Sequence, residues 1–344
     1  MPSTDEGASW HSLHVHRYSG QDEFITDGLR PVLAPLLSCG AVSRFFFLRY
    51  WQGGHHVRVR LLLADGSVAG EVAAKLGAYL AEHPGDGGFD AERFAREAQP
   101  TMAALEGERI SEIHPEDTIL RAEYEPELAK YGGPLGVAVA EEYFARSSEI
   151  AIDAIGDIAG RSGRRLGVGF STMLRGLCAA GLTPPEMAGF FAHYCVLWAP
   201  YVFDQFRAAW PDLLRERRSV LLPHAETLLA RADRLAKTDR FAGAIAAARS
   251  AVHAAGDEVL GRVTLAGADA TAARRWQVLL VGYLHTHNNR IGLIPEHEAF
   301  LGYLGHHVLS EYTGREPQAG LADDIQRYRD RRLAAVAGAP KEDR

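Results

Sequence analysis

Two apolar runs separated by a short glycine-rich break constrain the fold of this chain most strongly. Arg44–Trp51 is very apolar, and His56–Leu63 alternates apolar with polar residues before it ends in a leucine run. Successive side chains of a β-strand point to opposite faces, so this alternation predicts a strand with one apolar face. The break Gln52-Gly53-Gly54-His55 is typical of a turn. The sequence therefore predicts a β-hairpin over residues 44–63.

The flanking sequence completes an α+β pattern. A further alternating strand is predicted at Trp10–Tyr18, and an extended segment at Ile119–Tyr124. Helices are predicted over Gln21–Leu37 (shortened or bent by Pro31 and Pro35), from Asp65-Gly66 to Glu82, and over Asp90–Leu105. From Leu135 onward, Ala-rich amphipathic helices dominate, with breaks expected at Arg161–Gly169, Thr183–Pro185 and Pro200–Pro211.

We therefore expect an N-terminal antiparallel sheet with a hairpin, followed by a mostly helical C-terminal two-thirds. The expected organisation is a disordered start at residues 1–8, a single α+β catalytic domain at residues 9–333 and a flexible tail at residues 334–344.

Composition excludes several classes of protein. A formal charge of −7 argues against a nucleic-acid partner, which needs a basic surface. No N-terminal targeting pattern is present, and no apolar run approaches the roughly 20 residues that span a bilayer. We expect no membrane association and a cytoplasmic location. The cysteines, Cys39, Cys178 and Cys195, lie far apart in apolar surroundings, which favours buried free thiols over disulfides or a zinc site.

A row of polar side chains is predicted on one face of the second hairpin strand. His56, Arg58 and Arg60 occupy alternate positions, so they would project from the same side about 7 Å apart. The arginine guanidinium makes bidentate hydrogen bonds to carboxylate, phosphate or amide oxygens, so these side chains are a candidate substrate-binding or catalytic site. The alternative is a solvent-exposed polar face of the kind common in antiparallel sheets.

A second candidate site lies in Leu284-His285-Thr286-His287-Asn288-Asn289-Arg290-Ile291-Gly292, after an apolar run. Histidine gains or loses a proton near neutral pH and suits general acid–base chemistry. The alternative is capping of a helix C-terminus by histidine and arginine. No Asp, Glu or Cys stands at a recognised metal-ligand spacing, so no metal is predicted.

Weaker candidates are scattered through the helical part. His193 lies in a very apolar helix, where burial would keep an imidazole neutral, although a core histidine is the simpler reading. Arg215, Arg217 and Arg218 form a basic cluster that could receive an acidic peptide, or could be a solvated helix face. Ser310 and Tyr312 offer hydroxyls near a helix end.

The order of these pieces resembles the lantibiotic dehydratase C-terminal domain, also called the thiopeptide-type bacteriocin biosynthesis domain. The likeness is carried by Trp10–Tyr18, Phe46–Arg60, Tyr124–Gly133 and Leu284–Arg290. The resemblance implies an elimination-domain-like fold and a site that includes Arg58, Arg60 and either His285 or His287. The family's glutamate-eliminating members usually have Arg-Tyr-Gly-Gly where this chain has Lys130-Tyr131-Gly132-Gly133, and a lysine cannot fork onto a carboxylate as arginine does.

Free-standing members of this family resemble thiopeptide pyridine synthases. These enzymes join two dehydroalanines of an azole-containing peptide in a formal aza-[4+2] cycloaddition, then lose water and the leader peptide. The resemblance therefore implies a peptide substrate with its leader, dehydratase partner proteins and no cofactor. Candidate catalytic residues are His193, His285, His287, Tyr283, Arg58 and Arg60; candidate substrate-binding residues are His56, Lys130, Arg290, Ser310 and Tyr312; candidate leader-binding residues are Arg215, Arg217 and Arg218.

Two other functions stay open from the sequence. One is a stand-alone glutamate eliminase that makes dehydroalanine from glutamylated serine with a separate glutamylating partner. The other is a non-catalytic scaffold that binds the leader peptide. A homodimer is compatible with the sequence, which does not decide the oligomeric state.

Overall fold

The computed structural model describes residues 7–161, 163–264 and 271–338. The described residues divide into two compact units, which we call the sheet unit (residues 7–126 and 147–159) and the helical unit (residues 127–146, 160–161, 163–264 and 271–338). The expectation of one catalytic domain over residues 9–333 stays a prediction. Residues 1–6 of the expected disordered start and 339–344 of the expected tail lie outside the described residues, whereas residues 334–338 are helical.

The strands of the sheet unit are β1 (Ser9–His16), β2 (Arg44–Tyr50), β3 (His56–Leu63) and β4 (Ile119–Ala122). Its helices are α1 (Gln21–Glu23), α2 (Arg30–Ser38), α3 (Val68–Glu82), α4 (Ala91–Arg93) and α5 (Gln99–Glu106), with π-helical segments at Phe24–Leu29 and Phe94–Ala98. The strands pair antiparallel in the order β2-β3-β1-β4. The α+β class and the hairpin predicted from the sequence are confirmed.

The apolar face of the sheet carries the core of this unit. Val57, Val59 and Leu61 of β3 are completely buried, as are Leu13 and Val15 of β1. Each such side chain contributes about 1.5–3 kcal/mol on burial, so the alternation read from the sequence fixes which face of the sheet is covered.

The first helical region is not one continuous α-helix. Pro31 and Pro35 lack the N–H that an α-helix needs, and a π-helical segment separates α1 from α2. Gly28 lies within that segment, where a Cβ would come within 2.8 Å of the Tyr79 ring. Glycine at this position therefore leaves room for the Tyr79 ring of α3.

Helices dominate the rest of the chain. They are α6 (Leu128–Tyr131), α7 (Gly133–Ile158), α8 (Arg164–Ala179), α9 (Pro184–Trp198), α10 (Asp204–Leu229), α11 (Ala232–Thr238), α12 (Arg240–Ala255), α13 (Ala272–Arg290), α14 (Pro295–Tyr312) and α15 (Leu321–Gly338), with α7 contributing residues to both units. Helix α9 begins at Pro184, within the break expected over Thr183–Pro185, and the N–H of Thr183 donates to the Glu186 carboxylate at 2.8 Å.

Three expectations about the fold are wrong. The break expected over Arg161–Gly169 is too long, because α8 begins at Arg164 and continues through Gly169. The break expected over Pro200–Pro211 extends too far, because α10 begins at Asp204 and continues through Pro211. Trp210 beside that proline is buried and packs its ring 5.2 Å from Tyr303. Such packing offsets the missing hydrogen bond of the proline. Cys39 is exposed rather than buried, since it lies at the C-terminal end of α2.

The remaining cysteines follow the prediction more closely. Cys195 is a buried free thiol, and Cys178 is a partly buried one. Burial raises the pKa of Cys178 to about 11, so that side chain stays a thiol at neutral pH.

Candidate functional sites

The residues predicted from the sequence fall into both units. His56, Arg58 and Arg60 belong to the sheet unit, and the other candidates belong to the helical unit.

The polar face of the sheet gathers imidazoles around two guanidinium groups. Strand register places His16 opposite His56, and His14 opposite Arg58, while Arg60 follows on β3. We call these five side chains the imidazole–arginine face. The His14 and His56 rings stack with centroids 4.8 Å apart, and the His16 and His56 centroids are 4.7 Å apart. The polar side chains predicted on β3 are therefore part of a larger cluster, to which β1 contributes His14 and His16.

Both ring nitrogens of His56 are engaged within this face. Nδ1–H donates to the Gly54 carbonyl at 2.9 Å, and Nε2 accepts from Arg58 Nε at 3.1 Å. The Arg58 guanidinium also lies 3.5 Å above the Tyr50 ring, at cation–π distance. His56, predicted as a substrate-binding residue, thus orients Arg58 in this structure.

Burial makes the imidazoles of this face weak bases. Desolvation, together with a smaller effect of the positive charge of Arg58, lowers the pKa of His56 to about 2 and that of His14 to about 3. Burial also lowers the pKa of Arg60 to about 10. At neutral pH the face therefore presents neutral imidazoles beside two cations, an arrangement suited to an anionic or carbonyl oxygen.

The alternative of a solvated polar face does not describe this surface. His56 is 1% exposed and Arg60 is 9% exposed. Arg60 donates to the hydroxyl of Ser12 and lies 5.5 Å from the Tyr124 ring centroid.

Helix α13 separates its two histidines. Positions two apart on an α-helix are rotated by about 200°, so His285 and His287 point to nearly opposite sides. The His285 side chain is 24% exposed, whereas His287 is buried and packs 4.2 Å from the Phe241 ring centroid. This geometry makes His285 the accessible histidine of the pair.

Four residues surround His285 directly or through one another: Glu298, Tyr194, Asn288 and Trp198. We call these four residues and His285 the His285 cluster. His285 Nδ1–H donates to Glu298 Oε2 at 2.7 Å, and Asn288 Nδ2 donates to Glu298 Oε1 at 3.0 Å. The Tyr194 hydroxyl donates to the same Oε1. The Trp198 ring stacks on the imidazole, with centroids 4.3 Å apart and planes 23° apart.

The reactive edge of this imidazole is its Nε2. Within the part of the chain that the structure describes, Nε2 makes no hydrogen bond. A neutral imidazole that donates through Nδ1 has a lone pair on Nε2, which can accept a proton and return it. The His285 cluster is therefore a candidate general acid–base site.

The sequence did not identify Glu298, Tyr194 or Trp198. Glu298 is 0% exposed and lies on α14, while the two aromatic residues lie on α9. An acidic residue 13 positions after a histidine carries no recognised spacing signal. Only the crossing of α9, α13 and α14 brings the cluster together.

Three further candidates near His285 in sequence lie in the core. Tyr283 is completely buried; its carbonyl accepts from Tyr143 Oη at 2.7 Å, and burial raises its pKa. Arg290 is also completely buried, 4.9 Å from the Phe144 ring centroid. These two residues and His287 support the interior, away from the exposed edge of His285.

The weaker candidates are dispersed over the helical unit. His193 is exposed, so the simpler reading as a core histidine is wrong, and it lines a cleft of about 630 Å³ with Tyr328 and Arg331. Lys130 is paired with Glu127 at 3.0 Å. Ser310 is buried, and Tyr312 is 40% exposed.

The predicted basic cluster lies on α10 and is partly neutralised. Arg215 pairs with Asp212 at 2.7 Å, and Arg218 pairs with Glu311 across to α14. Arg217 is exposed and has no ion-pair partner among the described residues. Of the three arginines, Arg217 is thus the most available to an acidic ligand.

Two kinds of feature are absent from the residues that the structure describes. Residues 7–161, 163–264 and 271–338 contain no group of three or more His, Cys, Asp or Glu side chains placed to hold a metal ion. Over the same ranges, no helix combines the length and apolar character that crossing a membrane requires.

Comparison with known proteins places these features in a family context. A family model described as "Lantibiotic biosynthesis dehydratase C-term" matches residues 10–309. No curated protein matches the sequence.

Among solved structures, "Pyridine synthase, TbtD, from thiomuracin biosynthesis" superposes with a TM-score of 0.69 at 21% identity, covering 89% of this chain and 99% of that one. TsrL superposes with a TM-score of 0.66 at 19% identity, covering 92% and 99%. The tRNA-dependent lantibiotic dehydratase MibB from Microbispora sp. 107891 gives a TM-score of 0.51 at 20% identity, covering 91% of this chain but 29% of that one. At these identities the three comparisons show a shared fold.

Proposed function

Because the chain belongs to the lantibiotic biosynthesis dehydratase C-terminal family, we propose that it is a pyridine synthase acting on a ribosomally made peptide. Its substrate would be a leader-bearing, azole-containing peptide with two dehydroalanines. Support comes from the shared fold with a solved structure named as a pyridine synthase, over nearly the whole length of that protein. The observation that carries the proposal is the partly exposed imidazole of His285, whose Nδ1–H donates to the buried carboxylate of Glu298.

The proposed reaction needs a proton moved over a short distance. A backbone amide becomes its imidic-acid tautomer when its nitrogen loses a proton and its oxygen gains one. The resulting 2-azadiene (C=C–N=C) forms two C–C bonds with the second alkene, one at the dehydroalanine methylene carbon and one at the imidic carbon. The ring then aromatises by losing water and the leader as an amide. These atoms balance without an oxidant or a reductant. His285 Nε2 is the group proposed to take and return the proton.

The imidazole–arginine face is proposed to orient substrate oxygens. Two guanidinium groups beside neutral imidazoles can donate to carbonyl oxygens without losing their own protons. Arg217 on α10 is proposed to contact the leader peptide, whose capture raises the local concentration of the reacting core.

A second candidate is a stand-alone glutamate eliminase with a separate glutamylating partner. Arg58 and Arg60, which the family resemblance implies in a glutamate site, are retained and form a cationic face. Against it, Lys130 replaces the family's arginine, and this lysine is exposed and paired with Glu127. A non-catalytic scaffold for the leader remains as the third candidate.

The decisive experiment uses the purified full chain without added cofactor. It is incubated with a leader-bearing linear peptide containing two dehydroalanines, and the products are followed by mass spectrometry. Release of intact leader amide, with a core lighter by leader plus water, is the expected result. Loss of glutamate from a glutamylated serine peptide, with the dehydrated peptide unchanged, would make the chain the eliminase instead.

Paired variants then separate the candidate histidines. His285→Gln removes the proposed acid–base group and should lower turnover about 10²- to 10⁴-fold. His193→Gln alters another exposed histidine of the same unit and should leave turnover within a few-fold. Turnover equal to wild type in both variants would remove His285 from the acid–base role, whereas leader binding by a wild type without turnover would favour the scaffold.

A further inference from the structure

Glu298 is an unusual residue to find in the core of the helical unit. Its side chain is 0% exposed, and among the described residues it makes no ion pair with arginine or lysine. Burying a carboxylate costs several kcal/mol unless its oxygens are well partnered. A core position that needed only packing would be filled more stably by an apolar side chain, which indicates that this carboxylate serves another purpose.

Each oxygen of Glu298 has a distinct set of partners. Oε2 accepts from His285 Nδ1 at 2.7 Å, while Oε1 accepts from Asn288 Nδ2 at 3.0 Å and from the Tyr194 hydroxyl. Burial and the nearby Glu298 charge raise the pKa of Tyr194 far above its ordinary value, so its hydroxyl remains a donor at neutral pH. Two fixed donors therefore hold Oε1 and leave Oε2 for the histidine.

We infer that Glu298 is a positioning residue for His285, and that Tyr194 and Asn288 hold Glu298 in place. The carboxylate fixes His285 as the Nδ1–H tautomer, which leaves the lone pair on the exposed side at Nε2. This inference rests on the proposed function for its catalytic consequence. The proposed effect of Glu298 on the tautomer of His285 does not depend on whether the chain is an enzyme.

The substitution Glu298→Gln tests this arrangement sharply. Asn288 and Tyr194 both donate to Oε1, so the glutamine must place its carbonyl oxygen there and its NH₂ group toward His285. An NH₂ group donates, so His285 would have to accept through Nδ1 and carry its proton on Nε2 instead. The variant should therefore switch the tautomer while preserving the size of the buried side chain.

The tautomer can be read by nitrogen NMR of the chain labelled with ¹⁵N-histidine, with the His285 signals assigned by their loss in His285→Gln. The wild type is expected to show the Nδ1–H form and Glu298→Gln the Nε2–H form. A wild type in the Nε2–H form, or a variant that keeps the Nδ1–H form, would overturn the inference. The wild-type measurement decides even if the variant fails to fold.

Turnover of the dehydroalanine peptide supplies the second readout. Glu298→Gln should lower kcat about 10²- to 10⁴-fold and change KM by less than about 3-fold, because the substrate contacts remain. Glu298→Asp, which retains an acceptor, should restore part of kcat. A switched tautomer with unchanged kcat would refute the positioning role. A wild type without turnover would overturn the proposed function alone, and the tautomer comparison would still decide the role of Glu298 in orienting the ring.

Discussion

Acidification should destabilise the sheet unit through its buried histidines, and His56 allows the size of the effect to be worked out. Its pKa is about 2 in the folded chain against 6.5 for an ordinary histidine. The folded-state value is the lower one, so protons favour the unfolded chain: stability is complete above pH 6.5 and is lost as pH falls. Between pH 7 and pH 5 the loss from this one side chain is about 2 kcal/mol, at about 1.4 kcal/mol per pKa unit.

The matched variant is His56→Gln, which can donate to the Gly54 carbonyl and accept from Arg58 without titrating. We expect this variant to be less stable than wild type at pH 7, because the ring stacking is lost. The difference in free energy of unfolding between wild type and His56→Gln should then be smaller by about 2 kcal/mol at pH 5. Urea unfolding at both pH values measures the difference, and hydrogen exchange of peptides from β1 and β3 reports on this unit directly.

A stability difference between wild type and His56→Gln that is the same at both pH values within about 0.5 kcal/mol would refute the predicted pH dependence. Such a result would mean that His56 binds its proton equally in the folded and unfolded chains. Its burial between His14, His16 and Arg58 would then have no electrostatic consequence.

Two further predictions concern the helical unit. Gly302→Ala should lower the free energy of unfolding by about 1–3 kcal/mol, measured by urea denaturation, because the new Cβ would lie 2.6 Å from a backbone nitrogen of α9. Gly189→Ala on α9 is its control and should be neutral or stabilising by about 0.5–1 kcal/mol, since a Cβ there meets open space; equal effects would show that the α9–α14 contact is not tight. Arg217→Ala should weaken binding of a fluorescent leader peptide more than Arg218→Ala, whose guanidinium is already paired, and the reverse order would remove Arg217 from the proposed leader site.

Much of the sheet could be predicted because strand periodicity is local. The hairpin strand His56–Leu63 was predicted with the bounds that it has in the structure, and Trp10–Tyr18 differs from β1 by one residue at its start and two at its end. The expected break over Pro200–Pro211 was too long because proline propensity is a local signal that tertiary packing around Trp210 overrides.

Only some of the candidate site residues could be predicted from the sequence. The sequence singled out Arg58, Arg60 and His285 through alternation, side-chain chemistry and family resemblance. It gave equal standing to His287 and Tyr283, which the structure buries. Helical spacing shows that His285 and His287 diverge, but it does not show which of them faces the interior.

By itself the sequence determined the class of fold, the alternation that separates an apolar from a polar face of the sheet, and the segment that carries the accessible histidine. Only the tertiary structure decided that Glu298, Tyr194 and Trp198 surround His285, because these four residues come from three helices whose crossing depends on packing over the whole unit. It also decided that the imidazoles beside Arg58 are neutral, since desolvation depends on what covers a side chain and not on its neighbours in sequence.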